Sequence, residues 1–183
     1  MKFKKSFISL IITIKLLIFI FLAIQFQTNR TTQLSGLLFV NQGESSTYFS
    51  PVEHLIQGEG YSMSSYNKSD GSFSVNPSAR RMPGILPIML PLRLLLSKTM
   101  ALNAYIIIQF ILSVIAAFII GKIVFIYTSS KIASLITTLL FSVNSFTGVY
   151  EHLGITESLS ISFSIFSIYI YLKATANKSA SNK

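Results

Sequence analysis

The sequence contains no cysteine and only six acidic residues. The absence of cysteine excludes a disulfide framework, thiolate chemistry and any cysteine-based metal site. Charged residues make up only 11% of the chain, whereas 51% are hydrophobic and the mean hydropathy is +0.60. These values lie outside the usual range of soluble globular domains, so the composition predicts a membrane protein.

Basic residues outnumber acidic residues by 15 to 6, which gives a formal net charge of +9. Nucleic-acid binding would need these charges to form a basic stripe on a soluble face. Here the lysines lie mainly at the ends of apolar runs, which is typical of proteins that cross a membrane. We therefore expect membrane lipids as partners and no nucleic acid.

The first apolar run covers residues 6–26 and follows the basic start MKFKK. It is long enough to cross a hydrocarbon core of about 30 Å. The run is longer than the apolar core of a signal peptide, and no small-residue cleavage pattern surrounds Ala23, so residues 1–26 are predicted to be an uncleaved transmembrane anchor. Lys15 lies inside this run and is expected to snorkel or to face a helix bundle.

Residues 27–97 are predicted to form an outer loop with juxtamembrane helices. The part from 27 to 82 is rich in serine, glycine and asparagine and has too few continuous apolar residues to cross a bilayer. The part from 83 to 97 is apolar but short, and it contains three prolines and Arg93. Because proline frees backbone groups that lipid cannot satisfy, this part is predicted to lie at the membrane surface.

Three further apolar runs cover residues 103–126, 132–149 and 156–172. The last two are rich in serine and threonine, which form hydrogen bonds between packed membrane helices. The sequence therefore predicts an all-α integral membrane protein with about four transmembrane helices, three of them in residues 98–173. Residues 174–183 are predicted to be a disordered, basic cytoplasmic tail.

The distribution of charge predicts how these helices are oriented. Four spans place the following lysines on one side, which the positive-inside rule makes cytoplasmic: Lys2, Lys4, Lys5, Lys122, Lys131, Lys173, Lys178 and Lys183. The six acids then all lie at the outer face: Glu44, Glu53, Glu59, Asp70, Glu151 and Glu157. We therefore predict a multi-pass protein of the cell membrane with a cytoplasmic N-terminus.

Carboxylates and arginines that meet at the outer surface could form a reaction site. A partly desolvated carboxylate can take a proton from an attacking hydroxyl, and Arg80 and Arg81 offer planar groups that bind phosphate oxygens. In the alternative interpretation, the acids are simply solvated and the arginines contact anionic lipid. Glu151 and His152 are adjacent, but two neighbouring residues are not a set of metal ligands, so no metal site is predicted.

The motifs occur in an order that resembles a known family. A single N-terminal span is followed by GESSTYF, HLIQGEGYS and RRMPG, and then by a later ITES. This order resembles the amino-terminal part of GT-C membrane glycosyltransferases of the family 39-like group, which includes protein O-mannosyltransferases and lipid A aminoarabinose transferases. The resemblance covers roughly residues 5–175.

The resemblance implies roles for individual residues. Glu44 occupies the position of the acid, usually aspartate, that acts as the base or orients the acceptor. Tyr48 matches the aromatic residue that follows this acid, and Arg81 matches the basic position of the R-x-P-G element, with Arg80 beside it. Glu157 matches a second acid at the outer end of a span. Glu151 and His152, at the neighbouring outer turn, are assigned with Tyr48 and the arginines to substrate binding.

The implied function is transfer of a sugar from a polyprenyl-phosphate-linked donor to an acceptor on the outer face of the membrane. Such donors need no nucleotide-binding fold, and the sequence has no Gly-rich phosphate loop. No cofactor is certain, and a divalent metal ion is left open. Members of the family normally continue through more spans, so the expected partner is a missing C-terminal half or a second subunit. The rival hypothesis is a non-catalytic multi-span protein, such as an accessory subunit of glycan assembly or a transporter fragment.

Overall fold

The computed structural model describes residues 3–28, 44–66, 73–77, 83–144, 148–150 and 156–181. These residues are mainly helical, as predicted. The elements in chain order are α1 Lys5–Thr28, α2 Glu44–Ile56, β1 Ser62–Tyr66, β2 Phe73–Pro77, a 3-10 turn Pro83–Ile85, α3 Leu86–Leu95, α4 Lys98–Thr128, α5 Lys131–Val143 and α6 Glu157–Ser181.

Three helices in the described part of the chain are long and apolar enough to cross a membrane. They are Lys5–Gln25 of α1, Lys98–Thr128 of α4 and Glu157–Ala176 of α6. Helix α5 has 13 residues and is therefore only about 20 Å long. The chain is helical again at Gly148–Tyr150, so the run predicted as one span over 132–149 contains an interruption after Val143.

The predicted juxtamembrane segment forms a short helix that is separate from the long apolar helix after it. Helix α3 ends at Leu95, and Leu96 is extended, with φ −127° and ψ 158°. Ser97 then caps α4, because its side chain accepts a hydrogen bond from the Met100 backbone N–H at 3.4 Å. This cap explains why the apolar runs on either side of Ser97 do not merge into one helix.

The segment predicted as a loop after α2 contains more regular structure than expected. Strands β1 and β2 pair antiparallel, with Ser62 opposite Pro77 and Tyr66 opposite Phe73. Helix α2 ends in a left-handed turn at Gly58, where φ is +82° and the Glu59 N–H donates to the His54 carbonyl at 2.9 Å. Gly60 also has a positive φ, of +71°, so both glycines of HLIQGEGYS adopt a backbone conformation that other residues rarely take.

Helix α1 runs antiparallel to α4. Near the start of α1, the Phe3 ring lies 5.5 Å from the Phe118 ring, whereas near its end the Phe19 ring lies 4.7 Å from the Phe110 ring. Helices α4 and α5 also pack closely, and the Ser134 hydroxyl donates to the Gly121 carbonyl at 2.7 Å. These contacts make α1, α4 and α5 one packed group.

Several lysines gather at one end of this helix group. Phe3, next to Lys4, lies beside Gly121, next to Lys122. The Lys122 ammonium lies 6.0 Å from the Tyr169 ring of α6, one turn before Lys173. We call this region the basic end; its lysines are Lys4, Lys5, Lys122, Lys131 and Lys173.

Helix α6 extends further than the sequence predicts. Its backbone is helical through Ser181, although residues 174–183 are predicted to be a disordered tail. The segment KATANKSAS contains several good helix formers and no proline or glycine, so nothing in its local chemistry stops a helix that has already begun.

Candidate functional site

A buried apolar cluster joins α2 and α6 at the end of the group opposite the basic end. It connects Phe49 and Val52 of α2 with Leu159 of α6 through residues of α3 and the first turns of α4. The Phe49 ring meets the Tyr105 ring edge to face, with ring centroids 5.9 Å apart. We call this region the α2 end; its buried residues are Phe49, Val52, Ile85, Met89, Ala101, Leu102, Tyr105, Ile106 and Leu159.

The two predicted catalytic residues are the first residues of two helices that both contribute side chains to the α2 end. Glu44 begins α2, five residues before Phe49, and Glu157 begins α6, two residues before Leu159. A carboxylate is favourable at a helix start because the helix dipole is positive there. The fold therefore brings residues near the starts of both helices to the same end, and the Glu157 side chain is half-buried.

Several predicted site residues cannot be placed next to these two. Arg80, Arg81, Glu151 and His152 lie outside the described residues. Tyr48 belongs to α2, but the structure describes only its backbone, as it does for Glu44. The phosphate-binding and aromatic roles implied by the resemblance therefore stay predictions.

An ion pair that sequence reasoning missed joins α2 to α3. The Arg93 guanidinium donates to both oxygens of Glu53, from Nε at 2.6 Å and from Nη2 at 3.0 Å. Its Nη1 also donates to the Leu96 carbonyl at 2.8 Å, beyond the end of α3. Both side chains are about four-fifths buried, with 20% of Glu53 and 18% of Arg93 exposed. This bidentate geometry fixes the short helix α3 against α2.

The ion pair shifts the protonation of both partners. Hydrogen bonds from Arg93 lower the pKa of the Glu53 carboxyl; partial burial opposes that shift, and the charges of Arg93 and Lys98 add to it. The same hydrogen bonds raise the pKa of Arg93. Glu53 is therefore held in its charged form at neutral pH, which suits a structural contact better than proton transfer.

We expect the stability of this region to fall in acid. The pKa of Glu53 is lower in the folded state than in the unfolded state. The pair therefore stabilises the fold at pH values above the unfolded pKa, and this contribution is lost as pH falls through the folded pKa. The loss should be roughly 1 kcal/mol, since water partly screens the pair. Unfolding of the purified protein in detergent, followed by circular dichroism as a function of pH, measures it.

The matched control is Glu53→Gln, which removes the titrating group. This variant should be less stable than the original chain near neutral pH and should show a weaker dependence on acid. An unchanged acid profile in Glu53→Gln would show that other groups cause the loss.

A second charged contact involves the other described acid near the end of α2. His54 Nδ1 contacts the Glu59 carboxylate across the left-handed turn. Within the described ranges, no group of three or more histidine or acidic residues is arranged to hold a metal ion.

A surface groove of about 320 Å³ lies along the first half of α1. It is lined by Lys5, Ile8, Ser9, Ile12 and Thr13. Since Lys5 belongs to the basic end, this groove lies away from Glu44 and Glu157 and does not form part of the candidate site.

The lysine inside the first apolar run faces the helix group, which was one of the two expected alternatives. Lys15 is 3% exposed, its ammonium donates to the Ser113 hydroxyl of α4, and it lies 5.8 Å from the Phe141 ring of α5. One turn before Ser113, the Gln109 amide donates to the Tyr105 hydroxyl at 3.3 Å. Polar contacts therefore follow one face of α4 through the middle of the group.

In comparisons with known proteins, no family model matches the chain, and no curated protein or solved structure is significantly similar to it.

Proposed function

We propose that this chain is a multi-pass membrane glycosyltransferase that moves a sugar from a polyprenyl-phosphate-linked donor to an acceptor outside the membrane. The observation that supports the proposal is that α2 and α6, which begin at Glu44 and Glu157, both contribute residues to the apolar cluster of the α2 end. The order of sequence motifs supplies the reaction class.

The proposed orientation places the basic end in the cytoplasm and the α2 end outside. Lys4, Lys5 and Lys131 lie at helix starts or next to them, and Lys122 and Lys173 lie six and eight residues before the ends of α4 and α6. Lysines this close to the ends of membrane spans count in the positive-inside rule. Arg93 and Lys98 lie at the α2 end, but they belong to or follow a connection of some 70 residues, and long connections have less influence on orientation.

In the proposed reaction, the oxygen of the acceptor hydroxyl attacks the anomeric carbon of the sugar. The bond between that carbon and the phosphate oxygen breaks, and polyprenyl phosphate leaves with the electron pair. Glu44 takes the proton of the hydroxyl, while Glu157 orients the acceptor. Arg80 and Arg81 hold the phosphate oxygens, and Tyr48, Glu151 and His152 contact the polar groups of the substrates.

The direct test uses native membranes that contain the protein, together with its natural partners. Membranes are supplied with polyprenyl-phosphate sugars carrying a labelled sugar, and transfer of label to protein or lipid acceptors is measured. We expect transfer that disappears when the chain is deleted and returns when it is expressed again. Equal transfer with and without the chain would overturn the proposal.

The proposed orientation predicts the labelling of single cysteines, which are easily introduced because the chain has none. In intact cells, Glu44→Cys and Glu157→Cys should both react with a membrane-impermeant maleimide. Ser130→Cys, in the turn between α4 and α5, should react only after permeabilisation and serves as the control. Labelling of positions 44 and 157 from opposite sides would contradict a shared site.

One observation favours the second candidate function, a non-catalytic multi-span protein such as a transporter fragment or an accessory subunit of glycan assembly. A transporter is expected to have polar groups near the middle of the membrane, and Lys15, Gln109 and Ser113 are buried near the middle of their helices. The two functions differ in how they depend on Glu44. A non-catalytic subunit would support transfer by its partner even after Glu44→Gln, provided that the protein still assembles.

A further inference from the structure

A single lysine side chain from the middle of α1 contacts the middle of α4 and lies near the end of α5. Lys15 stands ten residues after the first residue of α1, on the same face as the fully buried Ile11. Its ammonium contacts Ser113 of α4 and lies over the Phe141 ring of α5. Ser113 is also buried, with 2% of its surface exposed. Both partners of the contact are therefore shielded from the surroundings of the protein.

The remaining surface of α1 gives little information about which face should pack against the protein. Its outward residues are as apolar as its inward ones, and they include Leu10, Ile12, Leu16, Leu17, Ile20, Phe21 and Ile24. Lipid tails are as apolar as leucine, so the hydrophobic effect does not favour one face of such a helix over another in a membrane. Another interaction must therefore determine how α1 is rotated about its own axis.

We propose that Lys15 is a positioning residue that fixes the rotation and register of α1 against α4 and α5. Any other rotation turns the ammonium toward hydrocarbon, where a charge is costly. A slip of one turn moves it by about 5.4 Å along the axis and away from Ser113. Single buried polar residues fix the register of apolar helix pairs in the same way in coiled coils. This inference does not depend on the proposed transfer reaction.

Cysteine cross-linking in membranes tests the proposal. The in-register pair is Phe19→Cys with Phe110→Cys, whose rings lie 4.7 Å apart. The rotated pair is Ile20→Cys with Phe110→Cys, since the next residue of a helix is turned by about 100°. The original chain should favour the in-register disulfide. Lys15→Met should lower the ratio of the two disulfides by about threefold or more, as expected for loss of one interhelical hydrogen bond.

Matched variants separate positioning from a general loss of structure. Thr13→Val removes an exposed polar group from α1 and should leave the ratio unchanged. Lys15→Arg keeps a charged donor and should retain the preference for the in-register pair. Cross-linking of α4 to α6 through Lys122→Cys and Tyr169→Cys reports whether the remaining helices still pack.

Two results would overturn the inference: an unchanged ratio in Lys15→Met, or the same loss of preference in Lys15→Arg as in Lys15→Met. If Lys15→Met also abolishes the disulfide link between α4 and α6, the proposal is tested with Ser113→Ala instead. This milder variant keeps the ammonium and removes its hydroxyl partner. The proposal requires that Ser113→Ala lower the ratio of the in-register to the rotated disulfide while the link between α4 and α6 persists. An unchanged ratio in Ser113→Ala refutes the proposal.

Discussion

Replacing Glu44 by glutamine should lower sugar transfer by roughly 10²- to 10⁴-fold, the usual contribution of a general base. Glutamine has nearly the same shape and can still accept a hydrogen bond, but it cannot take the proton of the acceptor hydroxyl. The position at the start of α2 is retained, so the change is chemical rather than structural. The measurement is the initial rate of transfer in native membranes with equal amounts of each variant.

The matched control for Glu44→Gln is Glu59→Gln. Glu59 follows α2 and contacts His54 on the surface, with 43% of its side chain exposed. Its replacement removes the same charge from the same predicted outer segment, so it should change the rate little. If both variants were equally slow, the effect would come from the charge of the segment. A normal rate in Glu44→Gln would remove Glu44 from the mechanism and favour the non-catalytic function.

Replacing Gly121 by valine should separate α4 from α5 and lower the free energy of unfolding by about 3 kcal/mol, the upper part of the range for overpacked sites. A Cβ atom at Gly121 would collide with the Thr138 hydroxyl and lie only 3.1 Å from the Ser134 carbonyl. The backbone contact matters most, because it cannot be relieved by a side-chain rotation. Unfolding in mixed detergent micelles, followed by circular dichroism, measures the loss.

Two further variants control this prediction. Gly84→Val introduces the same side chain at a glycine whose Cβ would have no atom within 4 Å, so it should be nearly neutral. Thr138→Ala removes the colliding hydroxyl and should restore part of the stability of a Gly121→Ala variant. If Gly121→Val is no less stable than Gly84→Val, the close approach of α4 and α5 is not needed for the fold.

The sequence predicts the helices well where their limits depend on local chemistry. The apolar run 6–26 agrees with α1, and the proline-rich segment 83–97 forms the short helix α3. The end of α2 at Gly58 could be anticipated because glycine readily adopts the left-handed conformation. By contrast, β1 has no sustained alternation of apolar and polar residues, and β2 alternates over only five residues. The sequence signal for the hairpin is therefore weak.

The residues of the candidate site also differ in whether the sequence could identify them. Glu44 and Glu157 could be chosen from motif order, because both positions lie next to recognisable apolar or glycine-containing segments. The pair of Glu53 and Arg93 could not be chosen, since the two residues are separated by 40 positions and by the hairpin. Neither residue belongs to a motif with a defined spacing.

The sequence by itself determined that the chain consists largely of apolar helices and that its acids are confined to a few segments. Both properties follow from composition and from short-range order along the chain. Only the tertiary structure decided that α1 packs on α4 through Phe19 and Phe110, that Lys15 meets Ser113, and that α2 and α6 contribute to one apolar cluster. The physical reason is that a helix forms through hydrogen bonds between residues four positions apart, whereas its partners are selected by contacts between distant residues.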